Sequence, residues 1–445
     1  MHIRTEKIRY RLWLMVVILS WVMISSYAQS RSAFEQISYD RRFSASNYCI
    51  YPDTILFLLK QTLPPEGKRP FYISHYGRHG SRYLSNRKGY DIPYRALAKA
   101  DSLGKLTPTG KDVLRQLREI IDDSEGRWGD LSELGKQQHR GIARRMMKRF
   151  PEVFEGKAHI DAKSTTVTRC ILSMGSAIQG MVASNPKLRV KMDASLHDMY
   201  YMNHQDKMLR GNMMTPVAKK AYDEYCRNRE HNPRLMAILF NDSVYVREKV
   251  DEVWLNYYLL KTALIQQNTR MGSRIDFLDL FSYEDIHQYW QKENAWWYFM
   301  YGPSLLNGGK QPYTQRYLLR QIIQEADSCI HLKKPGVQLR FGHETMVLPL
   351  TCLLELDHFG YQTLDLNELE SHGWWACLVF PMASNIQFIF YRENLFDKDV
   401  LVKVLLNEQE ATLPIKSDIA PYYRWSDVRQ YYLNKINSYE NERGQ

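Results

Sequence analysis

The amino-acid sequence predicts an α/β protein, and three observations predict it. Residues 71–74 form a short apolar run that reads as a buried strand ending in a glycine-punctuated turn. Residues 337–341 alternate in polarity and end at Gly342, as a second short strand would. Elsewhere apolar residues recur at helical spacing, with cations on the other faces.

The first strand leads into Arg78-His79-Gly80-Ser81-Arg82. Two guanidiniums therefore flank an imidazole at the carboxyl end of a strand, where open α/β sheets place their ligand crevices. Arginine forks match phosphate oxygens in geometry and charge. A neutral, aimed histidine between them attacks phosphorus. A basic surface turn is the plain alternative, and a bare Arg-His-Gly would favour it. The full Arg-His-Gly-x-Arg spacing after a strand favours a phosphate site with His79 as nucleophile. Arg87 and Lys88, just beyond, read as a solvated basic loop.

Ser132 is placed to cap a helix through about residue 150, with Ile142, Met146 and Phe150 at intervals of four. Ile171, Met174, Ile178 and Met181 mark a second helix over 170–181. Residues 190–325 are rich in Met, Tyr, Trp and Asn and mainly helical in pattern. Val250, Val253, Tyr257, Leu260 and Leu264 form one stripe there. Trp290, Trp296, Trp297 and Tyr298 belong either to a helical core or to an aromatic cleft wall. Pro349 interrupts or starts a helix after residue 344. Residues 375–380 are a further strand candidate, and 386–391 alternate and would pair with them.

The N-terminus reads as a secretory signal peptide. Arg4, Lys7, Arg9 and Arg11 precede an apolar run over 12–24, and Ser26-Tyr27-Ala28 is a small-x-small cleavage pattern. Its rival is an uncleaved anchor, since the run is borderline in length. With no second apolar stretch long enough, the cleaved chain would have no stable membrane span. It would be exported, to a periplasm or the exterior. Cleavage after residue 28 lowers the formal net charge from +11 to +8. That excess fits an anionic partner. Nucleic acid is the plain candidate, but the lysines and arginines are scattered rather than blocked and no nucleic-acid module is visible; a highly phosphorylated small substrate fits equally well, and charge alone does not choose. The six cysteines allow fifteen pairings, and none has the C-x-x-C spacing of a zinc site.

The 78–82 motif resembles the proximal motif of the histidine phosphatase superfamily, in its second branch of acid phosphatases and phytases. Ser164-Thr-Thr-Val-Thr-Arg-Cys170 is similar to the family segment with a further phosphate-binding arginine. Phe341-Gly-His-Glu-Thr345 is similar to the distal motif, and Pro381-Met-Ala-Ser-Asn385 to a late strand region. The four segments occur in family order. The resemblance implies a central mixed sheet flanked by helices, formed by 29–189 and 326–445. It also implies a strand at 159–163 and an inserted, mainly helical cap over 190–325. It assigns His79 as nucleophile, Arg78, Arg82, Arg169 and His343 as phosphate ligands, and Glu344 as general acid. No cofactor and no metal is implied.

Two departures stand out. Leu84 stands near the motif where many members have proline. The inositol polyphosphate phosphatases of the family typically read His-Ala-Glu-Thr, whereas here Glu344 directly follows His343. That puts the reach of Glu344 in question. Without the neighbouring Ser-Thr pattern Arg169 would read as an ordinary helix-start cation; on local sequence alone His343 is as readily a satisfied buried histidine as a ligand, a surface carboxylate is the alternative for Glu344, and His75, with no assigned role, reads as structural. The expected function is hydrolysis of inositol polyphosphates, phytate foremost. A broad-specificity acid phosphatase and a noncatalytic anion-binding protein are the alternatives.

Overall fold

A computed structural model of the chain describes residues 32–53, 61–204, 206–275 and 277–443. The expected signal peptide, residues 1–28, lies outside the described residues. No helix among the described residues is long and apolar enough to cross a membrane.

An eight-stranded mixed sheet forms the centre. Its strands are β1 (Arg69–Arg78), β2 (His159–Ser164), β3 (Arg189–Asp193), β4 (Gly336–Gly342), β5 (Asn385–Arg392), β6 (Leu401–Leu406), β7 (Gln409–Ala411) and β8 (Tyr423–Arg424). The order is β3-β2-β4-β1-β5-β6-β7, with β8 against β6. β1 lies between parallel β4 and antiparallel β5. The register pairs Arg78 with Gly342, so the chain leaves β1 and β4 side by side. Two sequence-distant motifs, one at each strand end, are thereby neighbours.

The strand expected over 71–74 runs on to Arg78. The reason is burial on both faces: Tyr72 to Arg78 are almost wholly enclosed, and such strands show no alternation to mark their ends. The strand expected over 375–380 is instead a short helix, Ala376–Val379. Periodicity does not separate a brief buried strand from a buried helical turn. Residues 386–391 consequently pair not with it but with β1 and β6.

The helices follow the expected pattern closely. We label those used below α1 (Lys88–Ser102), α2 (Pro108–Ser124), α3 (Glu133–Arg149), α4 (Thr168–Ser184), α5 (Glu252–Ile265), α6 (Tyr283–Tyr301) and α7 (Glu344–Leu353). Ser132 caps α3: its Oγ accepts from Gly135 N at 3.3 Å. Pro349 sits inside α7 and ends nothing there. Among the described residues between Asp193 and Gly336 no named strand occurs, and the chain runs through helices.

Two large apolar clusters hold these layers. One lies between the sheet and helices such as α6 and α7, with Trp297, Tyr298, Phe299, Val347 and Phe388. The other joins α1 and α2 to residues 235–290, with Leu97, Leu117, Leu259 and Trp290. Trp290, Trp297 and Tyr298 are core, and half-buried Trp296 lines a cleft that Trp297 also borders. Both readings of the aromatic run hold, for different residues. Arg87 pairs with Asp91 at the surface and Lys88 is exposed, so both cations are solvated as expected, but they cap and open α1 rather than lie in a loop. All six cysteines are buried free thiols.

Candidate active site

The site is built where β1, β4 and α4 meet. His79 follows the last residue of β1, and its backbone is clamped from both sides. His79 N donates to Gly342 O at 3.0 Å, while Ala383 N donates to His79 O at 2.9 Å. Arg78 N donates to Ser384 O at 2.7 Å. Ala383 adopts the left-handed conformation, φ 61°, to present its amide there. Gly80 allows the following loop to press on α3, since a Cβ there would stand 2.5 Å from Gly135 O.

Behind this loop lies a buried ion network. Arg145 Nη2 donates to Glu408 Oε2 at 2.7 Å and Arg145 Nη1 pairs with Asp53 at 2.8 Å. Tyr51 donates to the same Glu408 at 3.1 Å and accepts from Asn385 Nδ2 at 3.0 Å. Asn385 begins β5, so the network fixes the segment that holds His79.

Glu344, at the start of α7, turns into the site. Its Oε2 lies 3.1 Å from Arg78 Nε and 3.4 Å from His79 Nε2, and its Oε1 lies 3.9 Å from Arg82 Nη2. Without an intervening residue the carboxylate still meets the imidazole. Arg78 is wholly buried, with Nη1 held by the carbonyls of Asn47 at 2.7 Å and Phe380 at 2.6 Å. Arg82 Nη1 donates to Tyr83 O at 2.8 Å, and its guanidinium lies over the Tyr48 ring. His343 approaches Thr165 Oγ1 at 3.3 Å, and its ring centroid lies 5.9 Å from that of His79. Arg169, on the first turn of α4, is half-buried and close enough to Arg82 that the two repel. The structure therefore brings all six expected residues into one place.

The imidazole of His79 is oriented for chemistry. Nδ1 lies 3.0 Å from Gly80 O, and a carbonyl only accepts, so Nδ1 carries the proton and Nε2 holds the lone pair. Burial lowers His79 well below its ordinary value, against the opposing pull of Glu344, so the ring stays neutral. Burial also takes His343 down to about 4. For Glu344 burial acts upward, but the Arg78 and Arg82 guanidiniums outweigh it and hold the carboxyl well below its usual range. Arg78 Nη2, Arg82 Nε and Arg169 Nε are buried donors without a hydrogen-bond partner, and the lone pair of His79 Nε2 is unpartnered as well. Orphaned buried donors of this kind need an acceptor, and phosphate oxygens are of the right chemistry.

His79, His343 and Glu344 also lie close enough together to ligate a metal ion. The surrounding charge disfavours it: the carboxylate is already shared by two guanidiniums, which would repel a divalent cation.

Several contributors had no signal in the sequence. Asn47, Gly80 and Phe380 act through carbonyls, which every residue type has. Tyr48 comes from a short N-terminal turn segment with no motif of its own. Thr165 was within reach, as it lies in the 164–170 segment.

The family model of the histidine phosphatase superfamily, branch 2, matches residues 77–407. The chain belongs to that family. It is a phosphoric monoester hydrolase by that membership. The phosphatase is 23% identical over 393 residues to human multiple inositol polyphosphate phosphatase 1, covering 81% of this chain and 78% of the relative. Its fold is similar to that of the Bifidobacterium longum multiple inositol polyphosphate phosphatase in complex with inositol hexasulfate, with a TM-score of 0.73 at 16% identity. That match covers 87% of this chain and 96% of the other. The phytase from D. castellii gives a TM-score of 0.66 at 14% identity, covering 89% and 85%.

Acid sensitivity follows from the same site. Buried His343 titrates near 4, and burial brings His75 and His139 to about 3. In the unfolded chain histidine titrates at about 6.5, so below that value the unfolded state binds more protons. Stability is then lost as pH falls from about 6.5 towards 4. The depressed Glu344 carboxyl adds a loss below about 4.3, the ordinary value. The thermal midpoint should drop by about 5 °C or more between pH 7 and pH 4.5. A midpoint that is flat across this window in a scanning fluorimetry or calorimetry series would contradict the buried, neutral histidines.

Proposed function

We propose that the protein hydrolyses inositol polyphosphates through a phosphohistidine intermediate on His79, as an exported enzyme whose residues 1–28 are a signal peptide. The observation that carries the mechanism is the placement of an unprotonated His79 Nε2 among Arg78, Arg82 and Arg169, 3.4 Å from Glu344. The substrate class is supported by the inositol polyphosphate phosphatases that the chain resembles. Residues 190–325 form the cap over the cleft in this reading.

A substrate phosphate takes the place that the Glu344 carboxylate holds against the arginines. His79 Nε2 then attacks phosphorus, and the P–O ester bond breaks. The arginines and His343 stabilise the charge spread over the transferring group. Glu344 delivers its proton to the leaving alkoxide. The carboxylate so formed takes a proton from water, which attacks phosphorus, breaks the P–N bond and releases phosphate.

Glu344 is ionised in the free enzyme, so it gains its proton as substrate arrives. The incoming anion neutralises the arginines and repels the carboxylate, which raises its proton affinity. The test of the whole reading is a phosphate-ester panel including phytate, followed by alkaline quenching to trap an acid-labile phosphoenzyme. Absence of phosphate release from every inositol phosphate would sink the substrate class. Absence of a phosphoenzyme under single-turnover conditions would sink the intermediate.

Activity is expected to survive exhaustive chelation. Three arginines supply the charge that a metal ion would otherwise provide. The check uses an aryl phosphate, which binds divalent ions far less than phytate does. Loss of turnover that zinc or magnesium restores would refute it.

A further inference from the structure

The cleft, about 560 Å³ in volume, runs from Arg82 and Glu344 of the cradle, past Asn47 and Tyr48, to residues of the helical segment. Its outer wall carries two lysines, Lys261 and Lys292, and two carboxylates, Glu230 and Glu293. Each lysine is already engaged. Lys292 Nζ donates to Glu230 Oε1 at 2.9 Å. Lys261 Nζ donates to the Tyr257 hydroxyl at 3.1 Å, and that hydroxyl donates to Glu293 Oε1 at 3.1 Å. The formal charge of this wall is zero, in a chain of net charge +11. The excess of cations is therefore not spent here. Trp254, Tyr258 and Trp296 complete the wall with aromatic faces.

Such a wall is poorly matched to a ring bearing six phosphates. Each phosphate monoester brings about −1.5 to −2 charges at neutral pH. A phosphate beside Glu230 or Glu293 meets a like charge, and the lysines it could reach there are already shared, Lys292 with Glu230 and Lys261 with the Tyr257 hydroxyl. A ring hydroxyl at the same place donates to the carboxylate without disturbing the lysine. Specificity then comes from repulsion of one substrate as much as attraction of another.

We propose that Glu230 and Glu293 are specificity residues that favour partly dephosphorylated inositol phosphates over the hexakisphosphate, by accepting hydrogen bonds from free ring hydroxyls. This rests on the inositol phosphate reading above. Aromatic faces of the same wall pack against ring carbons, a contact independent of phosphate number.

The experiment measures kcat/KM of the full chain for inositol hexakisphosphate, inositol 1,4,5-trisphosphate and 4-nitrophenyl phosphate. The trisphosphate is expected to be the better inositol substrate by about tenfold or more. The double variant E230Q/E293Q should close that gap, because an amide donates as well as accepts and carries no charge. Lys292→Met should widen it, since Glu230 loses its cation. Opposite signs from the two changes are not produced by a general loss of fold. A hexakisphosphate value equal to or above that of the trisphosphate overturns the proposal, as does a gap that neither variant moves. Hydrolysis of 4-nitrophenyl phosphate with both inositol phosphates untouched overturns the inositol phosphate reading itself, and this inference with it.

Discussion

His79→Ala is expected to lower phosphate release by about 10⁴-fold or more, since the group that would bond to phosphorus is gone and no neighbouring side chain replaces it. Nδ1 makes a single contact, to Gly80 O, and the backbone clamps from Gly342 and Ala383 do not involve the ring. The fold should therefore persist. Phosphate binding should persist as well, because Arg78, Arg82 and Arg169 are untouched. A phosphate-dependent rise in the thermal midpoint of the variant reports that directly. Turnover within tenfold of the unaltered enzyme would show that His79 is not the nucleophile.

The second large effect concerns Glu344, and it has two opposite parts. Its carboxylate occupies the cradle at 3.1 Å from Arg78 and so competes with phosphate for the same guanidiniums. Glu344→Gln removes that anion, and inorganic phosphate should bind more tightly. The same change removes the transferable proton. Esters with alkoxide leaving groups should slow by about 10²- to 10⁴-fold, the range for losing a general acid. An aryl phosphate, whose phenolate departs unaided, should slow far less. Equal slowing of both ester types would mean that another carboxylate protonates the leaving group. Unaltered phosphate affinity would mean that Glu344 does not hold the phosphate position.

Most of the site could be read from the sequence because its residues sit at strand ends in short motifs. Arg78 and His79 follow one buried run, and His343 and Glu344 follow another. A parallel pairing of those runs is enough to bring them together. Helices with a clear apolar stripe and a capping serine, such as α3, were legible for the same reason: their period is local. What escaped was local chemistry without a residue-type signature. The carbonyls of Asn47 and Phe380 hold Arg78, yet any residue offers a carbonyl. The run over 375–380 is apolar throughout, so helix and strand leave the same trace. Arg145 and Glu408 are 263 positions apart, and nothing near either one announces the other. The charge-balanced wall was invisible for that reason too, since Glu230 and Lys292 meet only through the packing of the helices.

The way Arg78 is held has a consequence for how the chain acquires activity. One guanidinium nitrogen draws together the carbonyls of residues 47 and 380, one near the start of the described chain and the other far along it. Closing so long a loop is entropically costly, and contacts of such separation form late when a chain folds. Helices such as α2 and α3 need only their own neighbourhood. On dilution from denaturant, helical signal should therefore return first, with phosphatase activity lagging behind it. A fragment lacking either end should recover secondary structure and remain inactive. In this enzyme catalytic competence is a report on the whole chain, not on the motif that bears the nucleophile.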